Sequence, residues 1–197
     1  MDVGTTQVFT DEAVPNEDLM TIMRAGLAAP SAINQQPWFF VAVTDREIMD
    51  EIAGSGMSFA PPAGAPQNDG KGPSDGPAAM PALAASGAKA GMGDSPAAVI
   101  IYRNDSTKSP NADFDCGLAA QNMVIAAASL GYGVKIVSSP TMALNGDNHD
   151  ALCDKLGVDR SMQAVAVILI GKADSSVDGF SGASARDELD AKTAIIG

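Results

Sequence analysis

The side chains of this chain best suited to chemistry gather in one short stretch, Ala28-Ala29-Pro30-Ser31-Ala32-Ile33-Asn34-Gln35-Gln36-Pro37-Trp38. It offers backbone N–H groups, the Ser31 hydroxyl and the Asn34 and Gln36 amides, and it carries no charge. Such groups suit a planar, heteroatom-edged ligand such as an isoalloxazine ring, which needs neutral donors and acceptors around its pyrimidine side. They serve equally well to cap proline-bounded turns. His149 is the lone histidine, set among Asp147, Asn148 and Asp150. It reads as a surface residue, because no second imidazole completes a metal site and no G-x-S-x-G supplies a serine nucleophile. Gly131-Tyr132-Gly133 follows a helical pattern and precedes a strand, the reverse of the dinucleotide fingerprint, so it reads as a helix stop. Cys116 and Cys153 lie far apart, in no C-x-x-C spacing, and build neither a disulfide framework nor a zinc knuckle. Cys116 sits in an apolar helix with nothing basic beside it and reads as a packed small hydrophobe. A reducing cytoplasm fits this cysteine usage best.

The elements that position the loop follow from periodicity. Leu19, Ile22, Met23 and Leu27 recur at helical spacing over Pro15 to Ala29, with Asn16, Glu17 and Asp18 as cap and acid at the start and Pro30 as the stop. Trp38 to Val43 is a strand of aromatic and branched residues. Thr44 with Glu47 reads as a capping box for a short helix from Asp45 to about Ala53, with Ile48 and Ile52 on its inner side. Ala97 to Tyr102, Val134 to Val137 and Ala164 to Ile170 are three more strands, each apolar enough to be buried on both faces. Asp113 to Leu130 is a long helix apolar on nearly every face, which needs more cover than one subunit readily provides and so implies a homodimer. His149 to Leu156 is a small helix ended by Gly157. Gly54 to Gly93 holds nine of the 20 glycines and six of the 12 prolines, so it reads as a surface excursion with at most one short helix between Pro81 and Ala90. The stretch after Gly171 is polar and would drape over the body or over a partner.

Composition bounds the rest. At 197 residues, 46% hydrophobic and a mean hydropathy of +0.07, the chain suffices for one domain with a real core and is not disordered. Acidic residues outnumber basic ones 24 to 12, and the net charge of −12 repels phosphate backbones and anionic membranes, so neither nucleic acid nor a membrane is an expected partner. Met1 to Thr10 lacks a basic region followed by an apolar run, and Ala164 to Ile170 falls far short of the roughly 20 residues a spanning helix needs.

The loop does not stand alone. Its residues resemble the flavin-dependent nitroreductase family, in which a motif like A-P-S-x-x-N-x-Q-P-W follows the first long helix. Asp115-Cys116-Gly117-Leu118-Ala119-Ala120-Gln121-Asn122-Met123, running into Ala127-Ala128-Ser129-Leu130-Gly131-Tyr132-Gly133, is similar to that family's central dimer helix and its glycine-rich exit. Leu156-Gly157-Val158 followed by Ala164 to Gly171 is similar to its late strand. The resemblance spans about residues 9 to 171. It implies an α+β sandwich with a mixed, mainly antiparallel sheet flanked by helices, an intertwined homodimer of one domain per chain, and FMN at the subunit interface. It further implies an oxidoreductase passing two electrons from NAD(P)H through flavin to a small electron-poor acceptor such as a nitroaromatic or quinone. Carried over by position, Pro30, Ser31, Ala32 and Asn34 approach the flavin from one subunit, and Val137, Ser138 and Ser139 from the other. Arg186 matches a late basic residue that grips the phosphate. No side chain is implied as a catalytic acid or base.

One departure stands out. Family members open with basic residues around a serine, just before an aromatic, whereas Val3-Gly4-Thr5-Thr6-Gln7-Val8 precedes Phe9 here. Thr5 takes the place of the serine hydroxyl and Gln7 remains a hydrogen-bond donor, with Lys89 or Lys135 as candidate replacement charges. Neutral contacts to phosphate are about half as strong as charge-assisted ones. Two alternatives therefore stay open: a nitroreductase-fold protein with weak or lost flavin binding that acts as a binding or scaffold module, and a flavoprotein with a different reaction under a lid built from Gly54 to Gly93.

Overall fold

Pro15 and Pro30 set the limits of the first element in the computed structural model, which describes residues 5–55, 92–176 and 192–194. Between the two prolines runs α1, Asn16–Leu27, which buries Leu19, Ile22 and Gly26. Asn16 is not its cap. Pro15 stands at the N-cap with φ −58° and ψ 142° and no side-chain cap forms, because the ring already holds the backbone outside the helical region. β1, Trp38–Val43, has the predicted bounds. In α2, Arg46–Ser55, the cap is Asp45 rather than Thr44: its Oδ1 accepts from the N–H groups of Glu47 and Ile48 at 2.8 and 3.2 Å. A single carboxylate oxygen thus accepts from two orphan amides of the first turn, one of them the Glu47 N–H that the expected box would have left to Thr44. The helix buries Met49, Ile52 and Ala53, with Ile48 only half covered. Residues 56–91, including the expected helix at Pro81 to Ala90, lie outside the described residues.

β2 (Ala97–Asn104), β3 (Gly133–Val137) and β4 (Met162–Gly171) join β1 in a four-stranded sheet of order β1-β2-β4-β3, antiparallel at every described strand pair. A parallel element enters through the Thr5–Val134 bridge. β2 and β4 are central and buried on both faces. Ala97, Val99, Ile101, Ile168 and Ile170 face one core, while Ala98, Ile100, Tyr102, Val167 and Leu169 face the other. β3 departs from the expected double burial: it is an edge strand, Val134 is buried but Ile136 is 49% exposed.

The first core is closed by α1 and by α3, Ala112–Ser129. They meet at Gly26, where a Cβ would stand 3.0 Å from Met123 Cγ and 3.1 Å from Phe40 Cε2. The second core lies under α2, α4 (Pro140–Leu144, a short helix the periodicity did not show) and α5 (His149–Leu156). Gly157 ends α5 at φ 66°, a left-handed cap that glycine adopts without strain. After β4 the chain runs back along the amino-terminal segment: Thr10 N–H donates to Lys172 O at 2.9 Å and Asp174 N–H to Val8 O at 3.0 Å. Among the described residues no helix is long and apolar enough to cross a membrane.

Candidate functional site

The Pro30–Pro37 loop leaves α1 at a point tied down from α3, where Asn122 Nδ2 donates to Ala25 O at 3.2 Å. Ser31 is extended, with φ −142° and ψ 155°, and Ala32–Asn34 form one 3₁₀ turn. Ile33, Asn34 and Gln36 then have φ of 45°, 59° and 47°. Three non-glycine residues in the left-handed region within four positions is unusual, most of all for β-branched Ile33. Conformations of this kind cost about 1–3 kcal/mol each and persist where surrounding contacts over-determine them. Two such contacts are present. Ser31 Oγ accepts from Gln36 N–H at 2.9 Å, closing the loop on itself, and Asp115 Oδ2 accepts from Ala32 N–H at 3.2 Å, tying it to α3. The Ser31 hydroxyl keeps its proton for another acceptor. Pro30 and Asn34 are exposed, Ser31 and Ala32 half-buried, and Ile33 is 89% exposed. Gln35 Oε1 is buried with no hydrogen-bond partner among the described residues.

A second group forms at the other edge of the sheet. Thr6 is buried and its N–H donates to Val134 O at 2.9 Å, which lays Thr5 and Gln7 along β3. Gly133 permits that approach: a Cβ there would stand 2.3 Å from Thr6 Oγ1. Lys135 Nζ donates to Gln7 Oε1 at 3.0 Å, so a cation does sit beside the neutral amino-terminal segment. Val137 ends β3, Ser138 and Ser139 are exposed after it, and Ser138 O accepts from Thr141 N–H at 3.0 Å as α4 begins. Thr5 and Gln7 therefore lie alongside β3, and Ser138 and Ser139 follow directly from its end at Val137.

The register sets the relation between the two groups. Trp38 pairs with Arg103, Arg103 with Gln163, and Val137 with Val167, so the loop before β1 and the turn after β3 emerge toward the same end of the sheet. They emerge on opposite edges, with β2 and β4 between them. At about 4.8 Å per strand the two edges stand roughly 14 Å apart across the sheet. Arg186 and Lys89 lie outside the described residues.

Other candidates for chemistry are occupied structurally. Burial, with Asp113 and Asp115 nearby, pushes the Cys116 thiol up to about 12, and burial also raises Cys153, so both stay protonated near neutrality. His149 is half-buried and is more than a surface residue: Nδ1 lies 2.7 Å from Leu144 O and Nε2 2.8 Å from Arg160 O. Both partners only accept, so only the imidazolium satisfies both, and these two bonds raise its pKa. A cavity of about 350 Å³ opens between the end of β2 and the start of α3, lined by Arg103, Asp105, Lys108 and Asp113. Arg103 there is already held by Asp105 and Asp113. No group of three or more metal-ligating side chains occurs among the described residues. Asp115 went unrecognised in the sequence, where the available sign was a carboxylate inside the first turns of an otherwise apolar helix.

Comparison with known proteins agrees with this architecture. The chain is 40% identical over 47 residues to a protein of Archaeoglobus fulgidus, covering 24% of this chain and 27% of that one. It is 28% identical over 127 residues to one of Methanothermobacter thermautotrophicus, covering 64% and 51%. Both relatives are named, provisionally, NADH dehydrogenase/NAD(P)H nitroreductase. The chain thus spans about a quarter and about half of the lengths of these curated relatives. In three dimensions it is similar to a nitroreductase with bound FMN from Desulfitobacterium hafniense, with a TM-score of 0.75, 20% identity, and coverage of 100% of this chain and 95% of that one. The family model described as "Nitroreductase family" matches residues 5–172, from the residue that bridges to β3 to the residue just past β4. That match takes in both edge groups and the sheet that separates them, and the chain belongs to the nitroreductase family.

Proposed function

We propose that this protein is an FMN-dependent oxidoreductase that works as a homodimer and passes two electrons from NAD(P)H to a small electron-poor acceptor such as a nitroaromatic or quinone. The observation that carries the reading is the uncharged loop at Ser31 to Gln36, in which Ile33, Asn34 and Gln36 are held in the left-handed region. Its chemistry fits a flavin ring: the Ser31 hydroxyl and Asn34 amide are neutral, and Pro30 and Ala32 offer a flat, apolar approach. FMN, when bound, supplies the two-electron chemistry.

In this reading the chain's own residues bind, orient and exclude water. Pro30, Ser31, Ala32 and Asn34 face the ring from one subunit, and Val137, Ser138 and Ser139 of the partner subunit close the other side. Two sheet edges roughly 14 Å apart in one chain become neighbours when a second copy is set against the first. Thr5 and Gln7, with Lys135 beside them, face the phosphate, and Arg186 adds a second cation. A pre-set loop spares the ordering cost of binding. The chain assigns no side chain to proton transfer.

The purified protein, alone or after incubation with FMN and desalting, should show flavin absorption bands and should oxidise NAD(P)H when an acceptor is added. Protein that stays colourless overturns the reading. The neutral amino-terminal segment favours one rival, a family member used for binding alone, and tight FMN uptake without NAD(P)H oxidation across a panel of acceptors would select it.

A further inference from the structure

We infer that Asp115 is a positioning residue for the flavin-facing loop, acting through the backbone of Ala32; the inference rests on the flavin reading above. Asp115 is 3% exposed, in the first turns of a helix whose other buried side chains are small or apolar. A carboxylate in that setting is costly unless it is hydrogen-bonded. Its Oδ2 accepts from Ala32 N–H at 3.2 Å. The nearby guanidinium of Arg103 is engaged by Asp105 and Asp113.

The loop's own geometry shows why an anchor is needed. The Ser31–Gln36 bond, the Asn34 N–H to Ser31 O bond and the Gln35 N–H to Ala32 O bond all lie within the loop. They move with it and do not locate it. Among the described residues the Ala32–Asp115 bond is the one hydrogen bond that ties residues 31–36 to another element, the far end of the loop being held at Pro37 O, which accepts from Asn104 N–H at 2.7 Å. Three left-handed L residues directly after it would relax toward ordinary conformations if the loop were free. A charged acceptor holds an N–H about twice as firmly as a neutral one, which suits a bond that must resist strain. Asp115 thus lets the loop stand formed before any ligand arrives, and it contacts the ligand only through Ala32.

Asp115→Asn keeps the shape and an acceptor oxygen but removes the charge, while Asp115→Ala removes both. Two readouts separate the loop's order from the flavin reading. The first is hydrogen exchange of the 31–36 amides in flavin-free protein: exchange should quicken in Asp115→Asn and further in Asp115→Ala, with the middle of α3 still protected. The second is FMN titration followed by visible circular dichroism. The dissociation constant should rise about tenfold in Asp115→Asn and more in Asp115→Ala, with a changed flavin band shape. Unchanged loop exchange together with an FMN dissociation constant within about twofold of wild type in Asp115→Asn would overturn the proposal. If Asp115→Ala does not fold, Asp115→Asn alone decides. If wild-type protein binds no FMN, the flavin reading falls while the exchange experiment still decides whether Asp115 holds the loop.

Discussion

At the scale of the residue, small polar side chains here hold backbone in place. Ser31 does so from within the loop, and its removal tests how much order the loop needs. Ser31→Ala should cost about 1 kcal/mol, the worth of one hydrogen bond, lowering the melting temperature by about 2–4 °C for a domain of this size. FMN titration of the same variant should show weaker binding with the far-ultraviolet circular dichroism unchanged. His149 is the second case. Its two carbonyl partners demand the doubly protonated ring and raise its pKa above the ordinary 6.5. Asp150 adds to the rise. A raised folded-state value means that the stabilisation is complete below the unfolded value and is lost as pH climbs through the folded one. Urea denaturation of wild type against His149→Gln should show a stability difference at pH 6 that shrinks by pH 8. A difference that grew with pH would refute the imidazolium assignment.

At the scale of the element, close approaches between backbones place the two halves of the candidate site. α1 must come near enough to α3 to deliver the loop beside Asp115, and Gly26 is where they cross. Gly26→Leu should overpack that crossing and cost about 1–3 kcal/mol in chemical denaturation. At the other edge, Gly133 admits Thr6 against β3, and a Cβ would collide with the Thr6 hydroxyl. Gly133→Ala should push the amino-terminal segment off β3 and weaken FMN binding while leaving the helix content intact. Tyr132, between Gly131 and Gly133, is fixed independently: its hydroxyl donates to Asp18 Oδ2 at 2.5 Å, and Lys172 Nζ lies 4.5 Å over its ring. The Gly-Tyr-Gly segment thus stops α3, anchors α1 and opens room for the amino terminus.

At the scale of the whole molecule, the sheet order separates the two groups that the proposed function brings together. α3 buries Ala119, Ala120, Met123, Val124 and Ala127 against α1 and the sheet, yet leaves Phe114 68% and Ile125 44% exposed. Met20 and Leu27 of α1 are also about half exposed. Large apolar side chains bare to water on adjacent helices suit an interface between copies. Sedimentation velocity should find a dimer, and Ile125→Asp should yield monomer that keeps its circular dichroism but loses FMN. A wild-type monomer that binds FMN tightly would refute the two-subunit site.

Much of this was legible from residue order alone. The β1 bounds, the span of α3 to within one residue at each end, and Gly157 as the stop of α5 are set by short-range preferences: branching, periodicity and freedom at positive φ. The loop from Pro30 to Pro37 was likewise marked by its prolines and amides. Local signals misassigned the caps of α1 and α2: at α1 the Pro15 ring holds the backbone outside the helical region and overrides the capping preference of Asn16, and at α2 Asp45 and Thr44 are both good caps between which only the formed turn decides. Double burial of β3 was misjudged because strand composition does not reveal which strand becomes an edge. The ties of Ala32 to Asp115 and of Gln7 to Lys135, and the placing of two candidate half-sites on opposite edges of one sheet, came from the tertiary structure. Those relations join residues 83 and 128 positions apart, and such pairings are settled when the whole sheet and its helices pack, not by any preference within a stretch of chain.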